Sequence, residues 1–245
     1  KYKINENTPL FDQIGIKKRQ FNQEILDLHE EKYMLGKVLR YIRPGSNVID
    51  IGGNTGMYAS LFAKKAGTVF SFEVVPPVFL ELLRTSNIHK NINPHLLGIS
   101  SKEETLEVYA DLNRLSNSGF SPLITESIKY TKFKVNTRKI DSFNFENVSL
   151  LKIDTEGTEL DILRGCKNMI NINKPACLVE CYPKFCSYDI GEIYKFFIEI
   201  GYTKCLINIK GFDLINIQSL EEFLIIANSP DMQLIHDCDF LFLNK

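Results

Sequence analysis

The chain has 245 residues, 44% of them hydrophobic, with 29 basic against 30 acidic side chains. That is enough apolar material for one large core, and the near-zero net charge leaves no electrostatic footprint for nucleic acid or an anionic membrane. No apolar run approaches the roughly 18 residues of a membrane span, and no basic-then-apolar signal segment leads the sequence. The six cysteines (Cys166, Cys177, Cys181, Cys186, Cys205 and Cys238) form no C-x-x-C pair. Several lie in apolar, strand-like contexts, so they read as reduced, buried thiols of a cytoplasmic protein.

The pattern predicts an amphipathic helix over 23–42, with Ile25, Leu28, Leu35, Leu39 and Ile42 on one stripe and Pro44-Gly45 as its stop. Strand and helix then alternate. Strands are expected at 48–52, 68–74 and 95–100, with helices at 55–65 and 77–90 between them. Two period-two segments, 105–109 and 132–137, each have one polar face and read as an antiparallel elaboration at the sheet edge. A strand at 148–154 follows. Thr158 with Asp161 has capping-box form and opens a helix carrying Leu160, Leu163 and Ile170. Strands at 176–182, 203–209 and 239–243, a helix opened by Asp189 and stopped by Gly201, and a short helix at 219–227 complete the pattern. The expected architecture is a doubly wound α/β sheet of seven core strands, mostly parallel. Residues 1–45 form a helical extension packed on one domain spanning 46–245.

Residues 48–56, Val-Ile-Asp-Ile-Gly-Gly-Asn-Thr-Gly, carry the most information. An apolar run reaches Asp50 and passes through Gly52 and Gly53 to Gly56, where a helix begins: a strand feeding a glycine turn, as at a nucleotide site. A carboxylate there would repel a dinucleotide's pyrophosphate and favour the ammonium and sulfonium of S-adenosylmethionine. The G-x-G-x-x-G spacing also fails, because Asn54 stands where a glycine is needed. A nicotinamide dehydrogenase is therefore the weaker alternative. Glu73 ends the next strand, roughly 20 residues after Asp50, where an acid can accept hydrogen bonds from both ribose hydroxyls.

The second cluster is Leu150-Leu151-Lys152-Ile153-Asp154-Thr155-Glu156-Gly157. Ligands of open α/β sheets bind beyond the carboxyl ends of the strands, so Asp154 and Glu156 should share a crevice with Asp50 and Glu73. Methyl transfer to a hydroxyl needs a base or a metal near the acceptor oxygen. Asp154 could be that base, could hold substrate, or could ligate a divalent ion with Glu156; both acids could instead cap the following helix.

The sequence resembles the FkbM family of S-adenosylmethionine-dependent methyltransferases. The matching residues are 48–56, Phe72-Glu73 with Pro76, Asn87 and Asn91, and Thr137-Arg138-Lys139-Ile140-Asp141. They continue through Leu151-Lys152-Ile153-Asp154-Thr155-Glu156-Gly157-Thr158-Glu159, Leu163-Arg164-Gly165 and Leu178-Val179-Glu180, in the family's order, over about residues 45–182. The resemblance implies a class I methyltransferase fold (Rossmann-like) with a reversed last strand, and O-methylation of sugars or secondary metabolites. It assigns Asp50, Gly52, Asn54, Gly56 and Glu73 to the cofactor and makes Asp154 and Glu156 the signature acids. Gly53, in the same turn, stands where alanine is frequent in the family, a departure expected to be harmless.

Other residues rank lower. Glu180, Cys181 and Tyr182 could line an acceptor pocket, and Asn113 to Ser121 could form a lid. His29, His89, His95 and His236 show no ligand spacing and read as surface or capping residues. Lys129, Lys132, Lys134, Arg138 and Lys139 lie along a polar strand face that is either solvated or meets an anionic acceptor. A small-molecule or glycan acceptor is expected, with no nucleic-acid partner. An inactive cofactor-binding scaffold is the alternative from another class.

Overall fold

A computed structural model describes residues 34–110, 118–119, 131–209, 214–228 and 236–244. Along the chain run α1 (Met34–Val38), β1 (Asn47–Ile51), α2 (Met57–Phe62), β2 (Thr68–Glu73), α3 (Pro76–Ile88), β3 (Ile92–Leu96), β4 (Gly98–Ile99), β5 (Thr105–Ala110), β6 (Ser118–Gly119) and β7 (Thr131–Arg138). Then come β8 (Val148–Ile153), α4 (Glu159–Gly165), α5 (Lys167–Asn173), β9 (Ala176–Glu180), α6 (Gly191–Glu199), β10 (Lys204–Ile209), β11 (Leu214–Ile217), α7 (Leu220–Ala227) and β12 (His236–Leu243).

Eight strands form the large sheet in the order β11-β10-β12-β9-β8-β1-β2-β3. Neighbours from β9 to β3 are parallel, while β12 runs antiparallel to both β9 and β10. Every residue of β8 is buried, as expected of a central strand with both faces covered. The pleat sorts its side chains: Leu151 and Ile153, with Ile49 and Ile51 of β1, pack against α4, α5, α6 and α7. Val48 and Leu150 face the opposite layer, formed by α1, α2 and α3. Met34, Val38 and Ile42 are buried in that second layer, so the segment ahead of β1 covers one flank of the sheet.

Several expectations change. The large sheet has eight strands, because Leu214–Ile217 pairs antiparallel with β10 and extends the edge. The third strand begins at Ile92, and Gly98–Ile99 leaves it for another sheet. The two period-two segments do not extend the large sheet: β5 and β7 belong to a separate sheet of order β4-β7-β5-β6, whose Val108, Ala110 and Val135 bury Val75 and Val78. The helix expected from Thr158 through Ile170 is two helices, because Cys166 leaves the helical well (φ −107°, ψ 0°). Its capping box does not form. Asp161 turns away to accept from the Ser100 hydroxyl (2.7 Å), the Ser101 amide (2.9 Å) and the Ser101 hydroxyl. Those partners hold its carboxyl below the ordinary carboxylate range against the opposing effect of burial. Of the helix expected over 23–42, the described part is α1 and a 3-10 turn at Leu39–Tyr41; Ile25 and Leu28 lie outside the described residues.

Among the described residues no helix is long and apolar enough to cross a membrane. Cys166, Cys177, Cys181, Cys186 and Cys205 are free thiols, four buried and Cys186 half-buried.

Candidate active site

The carboxyl ends of β1, β2, β8 and β9 and the start of β12 meet along one edge of the large sheet. Residues 52–56 form the turn there. The Gly52 and Gly53 amides both donate to the Phe72 carbonyl (3.0 and 2.8 Å), which ties the turn to β2. Gly52 has φ +77°, and a Cβ on it would run into the Asp154 carbonyl oxygen, so backbone from β1 and β8 meets at van der Waals contact. Asn54 is also left-handed (φ 49°), and its side-chain oxygen accepts from the Thr55 amide (2.8 Å).

Gly53 is not a neutral replacement for alanine in this chain. A Cβ there would strike the Ser71 hydroxyl, and that hydroxyl donates to Asp50 Oδ2 (2.7 Å). Ser71 occupies the space an alanine would need.

Asp50 is fully buried behind the turn. Strand register sets it directly opposite Lys152 on β8, whose ammonium lies 3.5 Å from Asp50 Oδ1 and 3.1 Å from Asp154 Oδ2. Lys152 Nζ also donates to the Gly52 carbonyl (3.0 Å) and sits 4.7 Å from the centre of the Tyr58 ring. Burial works to strip its proton, but the charges of Asp154 and Asp50 outweigh that and hold it above its ordinary value. The reason first given for Asp50 therefore changes. Its charge is balanced by the Lys152 ammonium, and its Oδ2 accepts from the Ser71 hydroxyl. Lys152 was the residue missed, although a lone charge in an otherwise uncharged, buried strand, two residues before Asp154, was its signal.

Glu73 ends β2 with its carboxylate turned onto backbone. Oε2 accepts from the Asn54 amide (2.8 Å), and Oε1 accepts from the amides of Val74 (2.7 Å) and Val75 (2.8 Å). Burial raises its proton affinity, partly offset by those three amides and by Lys152.

Asp154 is partly open, its side chain 35% exposed. Glu156, two residues on, has φ +60°, and its Oε2 is buried with no hydrogen-bond partner. Burial, then the charges of Asp154 and Glu159, push its carboxyl up to about 7. Glu180 ends β9 in register with Asp239 of β12. Its carboxyl is pushed well up by burial and by Asp154, Glu156, Asp239 and Glu159. A protein whose acids crowd around one buried cation holds a carboxyl that can take up a proton near neutral pH.

The lower-ranked residues divide. Cys181 points into the core and is fully buried, so it lines no crevice; Tyr182 is half-buried against Phe185 (ring centroids 4.8 Å). His95 is a packing residue, stacked on Phe72 (4.8 Å), with Nε2 buried and unpartnered and its proton affinity lowered by burial. His89 ends α3. His29, the His236 side chain, Lys129 and most of the segment from Asn113 to Ser121 lie outside the described residues, Ser118 and Gly119 excepted. Lys132 and Arg138 are paired with Glu107 (3.3 Å) and Glu103 (3.8 Å), which favours a solvated face. Among the described residues no three His, Cys, Asp or Glu side chains converge as a metal-ion site.

Residues 50–204 match the family described as Methyltransferase FkbM domain. Methyltransferase 1 of Beauveria bassiana is 26% identical over 144 residues, covering 49% of this chain and 58% of that protein. Hexuronic acid methyltransferase AglP of Haloferax volcanii is 26% identical over 147 residues, covering 60% of each. The crystal structure of methyltransferase FkbM from Methylobacillus flagellatus KT shares the fold, with TM-score 0.55 and 15% identity over 87% of this chain and 47% of that one. The chain thus spans about three fifths of the curated relatives' length.

Proposed function

The chain belongs to the FkbM methyltransferase family, and we propose that it moves the methyl group of S-adenosylmethionine onto a hydroxyl oxygen of a sugar, glycan or secondary metabolite. The observation that carries this reading is the Glu156 carboxyl. It is unpartnered at Oε2, poised near pH 7, and two residues from Asp154. A general base works best with a proton affinity near the working pH.

The residues fit the donor. A side chain at position 52 would drive into the Asp154 backbone and Asn54 holds a left-handed turn, so glycine and asparagine set the path of residues 52–56. Gly52, Gly53, Asn54 and Gly56 would hold the donor, with Asp50 supporting the turn from beneath. Glu73 would take a ribose hydroxyl. A carboxylate has about four acceptor positions and three are filled by amides, so one hydroxyl fits better than two. When bound, the donor supplies an electrophilic methyl group on a sulfonium. The chain's own task is alignment and deprotonation. Asp154, paired with the Lys152 ammonium, orients the acceptor. The Glu156 carboxylate takes the hydroxyl proton as the oxygen attacks.

The hexuronic acid methyltransferase among the relatives supports a sugar acceptor. The acids around the crevice argue against a nucleic-acid backbone as partner, since phosphates would meet Asp154, Glu156 and Glu180. Calorimetry with S-adenosylmethionine tests the donor, and absence of binding sinks the proposal. Labelled methyl on any acceptor separates an enzyme from an inactive scaffold, and an NADH fluorescence titration tests the dehydrogenase alternative.

A further inference from the structure

Glu159 accepts four hydrogen bonds. It opens α4 and is buried. Its Oε1 accepts from the Thr155 amide (3.2 Å), the Thr155 hydroxyl (3.1 Å) and the Gly157 amide (2.9 Å). Its Oε2 accepts from the Tyr188 hydroxyl (2.9 Å). The donors on the loop are the residues before and after Glu156, which itself holds a left-handed conformation that a non-glycine residue adopts only when its surroundings impose it. Gly157 (φ +104°) lies so close to the Phe185 carbonyl that a Cβ would overlap it. The acidic loop is therefore pinned twice to the segment after β9, once through Gly157 against Phe185 and once through Glu159 to Tyr188.

We propose that Glu159 is a positioning residue: it clamps the backbone on both sides of Glu156 so that the Glu156 carboxylate stays in the crevice, and Tyr188 ties that clamp to the segment 182–188. This rests on the reading of Glu156 as the base. A residue serving only to cap α4 would have no need of Tyr188, which comes from beyond β9. Glu159 also leaves a negative charge beside Glu156. The other charged groups acting on that carboxyl are Asp154, just past β8, and Glu180 of β9; Lys152 of β8 is paired with Asp154, and Asp239 of β12 acts on Glu180. Replacing Glu159 with Gln keeps an acceptor oxygen for the Thr155 and Gly157 amides and removes one negative neighbour.

The test needs no acceptor. Carboxyl carbon resonances of glutamate-labelled protein are titrated, with the Glu156 signal assigned by its loss in Glu156→Gln. The same samples give amide exchange rates at Thr155 and Gly157. Wild-type Glu156 is expected to titrate near 7. Glu159→Gln lowers that midpoint by about half a pH unit or more, because a like charge is gone. Glu159→Ala speeds exchange at both amides by about tenfold or more, and Tyr188→Phe speeds it in the same direction by less. An unmoved midpoint in Glu159→Gln, or unchanged exchange in Glu159→Ala, overturns the proposal alone. A wild-type Glu156 that titrates as an ordinary carboxyl overturns the base assignment and this proposal together.

Discussion

Replacing Glu156 with Gln should stabilise the protein while stopping catalysis. The carboxyl moves from an ordinary 4.5 to about 7 on folding, so the folded chain keeps this proton to higher pH than the unfolded chain does. Its contribution is fully present below pH 4.5 and is lost as pH rises through 7. Across that window the cost reaches at most about 3.4 kcal/mol, and partial exposure of the group screens it to about 1–2 kcal/mol. Gln accepts the same left-handed backbone and carries no charge to bury, so the variant escapes this cost. For a chain of this size the gain is about 2–8 °C in melting temperature. Thermal melts of both proteins at pH 5, 6, 7 and 8 read it directly. The two melting temperatures should differ least at pH 5, separate as pH rises toward 7 and change little from 7 to 8, with the variant higher. A variant that melts at or below wild type at pH 8, or whose advantage is the same at every pH, refutes the reasoning.

Lys152→Met leaves fully buried Asp50 without its cation, and chemical denaturation at pH 8 should show a loss of about 3–5 kcal/mol. Gly53→Ala should cost about 1–3 kcal/mol by driving a methyl into the Ser71 hydroxyl, with Ser71→Ala costing about as much by leaving Asp50 Oδ2 unbonded. The double variant should cost less than the two singles together by about 0.5–3 kcal/mol, measurable as a double-mutant cycle. Asp154→Asn should cut turnover at least about tenfold while changing donor affinity, read by calorimetry, by less than about twofold; equal loss of both would remove Asp154 from the chemistry.

How far the sequence reached depended on distance along the chain. The turn at 48–56 was legible because its signal is local: an apolar run, two glycines and a helix start within nine residues. Asp154 and Glu156 were legible for the same reason, as acids at the end of the apolar run of β8. The partners that give those residues their chemistry were not. Lys152 donates to Gly52, 100 residues away, and only strand register brings it opposite Asp50. Asp161 looked like half of a capping box because Thr158 is near, whereas its real partners, Ser100 and Ser101, lie about 60 residues back and prevail by donating three hydrogen bonds. Gly53 looked interchangeable with alanine until Ser71 was seen to fill the space. The edge strand β11 is four residues long, too short for a period to show.

A crystal structure with S-adenosylhomocysteine tests the central claim most directly. The expected result is the ligand along residues 52–56, a ribose hydroxyl at Glu73 Oε2, and the sulfur facing the Asp154 and Glu156 carboxylates. A ligand bound elsewhere, or one whose sulfur points away from Glu156, would contradict it.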